Sequence, residues 1–176
     1  MTYLIVILAV LARFAPHPPN FTPVFGALLF GGAYLKKRDA VWLPVVLLAA
    51  SDLVLTTWVY GMRVSWSEPV DWLGFAAIGW LGLWLRNRVS VRNLLGAALG
   101  GPALFFLISN FGVWLGDQIY PRNLAGLAAC YIAALPFFGN SLAASLLYGG
   151  LLFGAWEVWR RRHVARKSEL LAANSR

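Results

Sequence analysis

Between Arg13 and Pro23 the chain reads Arg-Phe-Ala-Pro-His-Pro-Pro-Asn-Phe-Thr-Pro, with four prolines in eleven residues. Each proline removes a backbone donor and turns the residue before it away from the helical region, so no helix runs through this stretch. Apolar runs of ten and twelve residues flank it, Tyr3 to Ala12 and Val24 to Leu35. Helices of that length rise roughly 15–18 Å, whereas a bilayer core is about 30 Å thick. If both runs are membrane helices, the turn stays below the far surface. Irregular backbone is tolerated at such depth only when it is buried in protein or lines a cavity. Paired short hydrophobic segments also mark binding sites in transporters. The turn therefore reads as the wall or lid of a cavity. The simpler alternative is a loop whose Arg13 and His17 reach back to water.

Composition sets the class. The chain is 60% hydrophobic and 12% charged over 176 residues, against about 25% charged in soluble domains. A soluble fold of this size cannot hide so much apolar surface. A formal charge of +8 would suggest nucleic acid in a soluble protein. Here the basic residues lie between apolar runs, so they speak of membrane topology and no nucleic-acid partner is expected. A single cysteine, Cys130, excludes a disulfide framework and a cysteine-based zinc site, and it reads as a small packing residue. The N-terminal run lacks a basic leader and a good cleavage site, so it is not expected to be a signal peptide.

Apolar runs and breakers predict helices over about 2–14, 23–35, 41–60, 71–85 and 93–115. The last apolar stretch, Leu124 to Trp159, is too long for one crossing, and Pro136 with Gly139-Asn140 is expected to divide it. That gives a short outer helix over 124–135 and a spanning helix over 140–159. Placing the turns at 36–38 and 86–92 on the same side as the tail collects twelve of the fifteen Lys and Arg residues there. The positive-inside rule then makes both termini cytoplasmic. Small residues four apart, such as Ala27 and Gly31, Gly96 and Gly100, or Gly150 and Gly154, invite close helix contacts.

Polar groups within the spans carry the functional argument, because they are costly in lipid and face a bundle interior. Counted at 1.5 Å per residue, Asp52 lies roughly 16 Å deep and Arg13 roughly 17 Å, which predicts an ion pair. Asn110, with Trp114 one turn on, stands in the outer half of the fifth span, and Asn140 opens the last one. His17 and Asn20 belong to the turn. These groups either line a small-molecule pocket or satisfy one another and hold the bundle together. His17 either meets a ligand or bonds a backbone carbonyl, and Asn140 doubles as a helix N-cap.

The run Pro16-His17-Pro18-Pro19-Asn20-Phe21-Thr22-Pro23, followed by Leu29-Phe30-Gly31-Gly32-Ala33, resembles a family of small uncharacterised bacterial integral membrane proteins. Ser51-Asp52 and Leu135-Pro136-Phe137-Phe138-Gly139-Asn140 fit the same pattern. That family is similar, more distantly, to the substrate-binding S components of energy-coupling factor vitamin transporters. The resemblance implies six helices, an outward pocket, a lid from the first outer loop and a separate ATPase or coupling module as partner. One departure is plain: S components commonly carry Ala-x-x-x-Ala on the first helix, whereas here Ala9 is followed four residues on by Arg13 and Ala12 by Pro16.

The expected molecule is thus an all-α polytopic protein of the bacterial cytoplasmic membrane. It has one bundle of six transmembrane helices over 1–159 and a basic cytoplasmic tail over 160–176 that touches lipid. Its expected role is to bind a small molecule as a transporter component. Arg13, His17 and Asn20 form the lid, and Asp52, Asn110, Trp114 and Asn140 are the anchors. The alternative is a structural or assembly protein. No nucleophile–base pair, phosphate loop or metal-ligand constellation is visible, so no catalytic residue, cofactor or metal is expected.

Overall fold

The structure is a computed structural model that describes the backbone of residues 1–174 and the side chains of residues 1–164 and 166. It is helical throughout its regular elements: α1 (Thr2–Leu11), α2 (Val24–Tyr34), α3 (Trp42–Val54), α4 (Glu68–Leu85), α5 (Val91–Gly116) and α6 (Leu124–Asn174). A 3₁₀ turn, Ala12–Phe14, extends α1, and a π-helical turn, Leu55–Val59, extends α3. Three stretches are long and apolar enough to cross a membrane, namely Trp42–Val59, Val91–Gly116 and Leu124–Val164. Thr2–Phe14 and Val24–Tyr34 are shorter apolar helices.

The core forms around α2, in which every residue from Val24 to Ala33 is buried. A helix that is apolar on all sides is covered on all sides, and α2 packs against α1, α4 and α6. The tightest approach is glycine on glycine. A Cβ on Gly32 would stand 2.5 Å from the Gly79 carbonyl oxygen, and one on Gly82 would stand 2.6 Å from that of Leu29. Arg86 locks the same place, donating from Nη2 to the Gly32 and Leu35 carbonyls at 2.8 and 2.6 Å. Those carbonyls belong to the end of α2, where intrahelical donors run out. By contrast, Gly96, Gly150 and Gly154 face open space. Spacing alone did not distinguish the glycines that pack from those that do not.

Two expectations are corrected. Helix α4 begins at Glu68, not at 71, because Pro69 falls in its first turn, where a missing N–H costs nothing. The expected break near 136–140 does not occur, and α6 runs through it as one helix of 51 residues. Pro136 sits inside it. Asn140 does not cap a new helix; its amide donates elsewhere. The Ser141 hydroxyl donates to the Phe137 carbonyl at 3.1 Å, one turn back along the same helix. The basic tail read over 160–176 continues α6 as far as residue 174, and its last two residues lie outside the described residues.

The two ends of the bundle differ in charge. Tyr34, Asn87, Trp156, Glu157, Arg160 and Arg161 line one groove, so the ends of α2 and α4 lie at the same end of the bundle as the basic part of α6. There Tyr3 Oη donates to Asp39 Oδ2 at 2.6 Å and ties α1 to the α2–α3 connection. That bond, helped by Arg38, holds the Asp39 carboxyl below its ordinary range.

Two outcomes follow. Gly82→Ala should lower the unfolding temperature markedly, since overpacking costs typically ~1–3 kcal/mol, while Gly96→Ala should be neutral or slightly stabilising; equal effects in a detergent thermal scan would refute the glycine contact. Because Asp39 is depressed on folding, its contribution is complete above the ordinary carboxylate range of about 4 and is lost as pH falls through the lowered folded value. Tyr3→Phe should therefore flatten the acid limb of the stability profile, and an unchanged limb would rule out that linkage.

Candidate functional site

At the opposite end a cavity of about 600 Å³ opens among the Pro-rich turn and the adjoining parts of α2 to α6. Arg13 hangs from the 3₁₀ turn that replaces the last turn of α1. Its Nη2 donates to Asp52 Oδ1 at 2.6 Å and its Nη1 to Ser51 Oγ at 2.7 Å. Ser51 passes the chain on by donating to the Leu48 carbonyl at 2.7 Å. The ion pair expected from matched depths is present, with side chains 14% and 16% exposed. Three residues beyond Asp52 the π-helical turn begins, and its Leu55 and Thr56 line the cavity. Single π turns are frequent beside functional sites because they rotate the following side chains.

The turn is folded on itself. His17 Nδ1 lies 2.9 Å from the Pro18 carbonyl oxygen and Nε2 lies 3.1 Å from that of Arg13. Both neighbours are acceptors, so a neutral ring can satisfy one at a time and a protonated ring both. Asn20 takes φ 58°, a left-handed conformation that asparagine tolerates better than most residues. The turn itself is little covered by protein: Arg13 and His17 are half-buried, while Ala15, Pro16, Pro18 and Pro19 are exposed.

Of the residues singled out from sequence, Arg13, His17, Asn20 and Asp52 line the cavity, and Asn110, Trp114 and Asn140 do not. Asn110 turns toward α6, donating to the Phe106 carbonyl at 2.8 Å and meeting the Cys130 thiol, which donates to its main-chain carbonyl at 3.4 Å. Trp114 Nε1 donates to the Pro121 carbonyl at 3.0 Å and so fastens the α5–α6 connection. Asn140 donates to the Pro19 carbonyl at 2.9 Å, a tether from α6 to the turn rather than an anchor inside the cavity. A helix presents a different face every residue, and the seat of Asn110 and Trp114 is decided by which face α6 covers.

Sequence reasoning missed Glu68 and Asp71, which line the cavity from the first turn of α4. Their three-residue spacing puts both on one face of a helix, a signal hidden while residue 68 was read as loop. Glu68 Oε2 and Asp71 Oδ1 are sealed from solvent without a hydrogen-bond partner among the described residues. Phe75 and Phe105 supply an apolar wall, their rings stacked at 5.1 Å and 9°. Among the described residues no three His, Cys, Asp or Glu side chains gather closely enough to hold a metal ion.

Over residues 1–168 the chain matches the family described as "Family of unknown function (DUF6580)". The chain belongs to this family. Among curated proteins none matches it. The match covers every element that builds the cavity in this DUF6580 chain, from Arg13 to Ser141.

The Arg13–Asp52 pair is testable in a double-mutant cycle. A lone charge at full membrane depth costs about 2.5–3.5 kcal/mol on insertion scales, and partial exposure lowers that. Arg13→Ala and Asp52→Ala should each lose about 1–3 kcal/mol, and the double variant should lose less than their sum because neither charge is left alone. Strictly additive losses would remove the coupling.

Proposed function

We propose that this protein binds a small molecule in the cavity beneath the Pro-rich turn and acts as a non-catalytic component of a membrane transporter. In this proposal six helices cross the bacterial cytoplasmic membrane with both termini in the cytoplasm. The cavity then faces outward, and the turn from Arg13 to Pro23 is its lid. The topology draws support from the basic groove at the other end, where the positive-inside rule puts the cytoplasm. One observation carries the functional reading: a cavity of about 600 Å³ lined by side chains from separate helices, with Arg13, Asp52, Glu68 and Asp71 converging on an aromatic wall. Mostly apolar concavities with a few polar anchors are what small-molecule recognition requires.

If the chain works as the S components that its Pro-rich turn resembles do, its partner is a separate ATPase or coupling module. The lid is tied to α6 by the Asn140–Pro19 bond and by the edge contact of Phe21 with Tyr148 at 5.9 Å, and to α3 through Arg13, while the His17 bonds stay within the 13–18 segment.

A second reading, a structural or assembly protein, draws on the way Arg13, Ser51 and Asp52 satisfy one another without a ligand. The two readings part in one experiment. Protein purified gently from its membrane should release a stoichiometric non-peptide mass on denaturation, and a cavity-filling Ser109→Trp variant that still folds should release none. A folded wild type that carries nothing, together with full cellular function of the Trp variant, would decide for the structural role.

A further inference from the structure

We infer that the cavity takes an organic cation, a solute bearing an ammonium or guanidinium group, and that Glu68 and Asp71 receive its positive end. This rests on the small-molecule reading of the cavity and adds the charge class of its occupant. The lining carries three carboxylates, Asp52, Glu68 and Asp71, against one guanidinium, Arg13. Protonation of His17 would raise the positive count to two and leave the carboxylates in excess.

The charges are also unequally engaged. Asp52 has its counterion at 2.6 Å. Glu68 and Asp71 have none among the described ion pairs, and each keeps one oxygen out of solvent without a donor. Buried carboxylate oxygens left without donors are unfavourable. A ligand N–H group placed between the first turn of α4 and the cavity supplies what is missing. An anionic solute finds less: both terminal nitrogens of Arg13 already donate to Ser51 and Asp52, which leaves its buried Nε as one open donor against two open carboxylate oxygens.

Two further features separate an organic cation from a metal ion. Among the described residues, no three His, Cys, Asp or Glu side chains come close enough to share one metal ion, whereas calcium or magnesium gathers six or more oxygens within about 2.6 Å. The wall also carries aromatic rings: Phe75 and Phe105 stack, and Phe25 meets Phe105 edge-on at 5.5 Å. Ring faces next to carboxylates suit an ammonium attached to an apolar body.

The test uses the full chain in detergent or nanodiscs and three probes of one shape and different charge: benzylammonium, benzyl alcohol and benzoate. Benzylammonium should raise the unfolding temperature and protect Glu68 and Asp71 from carbodiimide labelling read by mass spectrometry. Glu68→Gln and Asp71→Asn should each weaken its apparent affinity about tenfold or more, as expected for losing a charge-assisted hydrogen bond. The labelling arm needs only the wild type, so it stands even where a variant fails to fold. Stabilisation by benzoate or benzyl alcohol equal to or greater than that by benzylammonium would overturn the cation assignment and leave the cavity as a binding site. No stabilisation and no protection by any of the three would overturn both.

Discussion

Arg13 reaches Ser51 and Asp52 across 2.7 and 2.6 Å, joining segments that stand 38 and 39 residues apart. In apolar surroundings neither charge is stable alone, so each fixes where the other must go. The end of α1 is thereby held against α3, and the prolines that follow must double back over the end of the bundle to start α2. The cavity is the space left beneath that return. Had Arg13 snorkelled to water, the turn would lift away with it and Asp52 would face the interior without a counterion.

The second constraint is the depth to which α2 sinks into the molecule. Gly32 against Gly79 and Gly82 lets two backbones meet almost in contact, and Arg86 answers the carbonyls exposed at the end of α2. Such contacts matter more in lipid than in water, because apolar side chains gain little by leaving lipid for protein and packing must supply the association. With α2 fixed at one end, variation is pushed to the other. There the elements depart from regular helix: a 3₁₀ turn at Ala12–Phe14, a π turn at Leu55–Val59 and a left-handed Asn20. All three irregularities contribute residues to one cavity, Arg13, Leu55, Thr56 and Asn20 among them. A closely packed core beneath an irregular, polar mouth fits the binding role proposed above.

Whatever depends on runs and on forbidden conformations is legible in the amino-acid chain. Apolar runs with basic ends specify a helical chain built for lipid, and four prolines specify a turn that cannot be helical. Depth counting was enough to pair Arg13 with Asp52, because rise per residue is constant along a helix. Azimuth and continuity, by contrast, are settled by packing. Asn110 and Trp114 sit at the right depth but on a face taken by α6 and the α5–α6 connection, where Asn110 accepts from the Cys130 thiol and Trp114 donates to the Pro121 carbonyl. Asn140 became a tether because α6 passes its proline unbroken and carries the side chain to Pro19. Glu68 and Asp71 enter the cavity because Pro69 opens a helical turn instead of ending a loop. Hydropathy reports how deep a residue lies. Which neighbour a helix face meets depends on the packing of all the others.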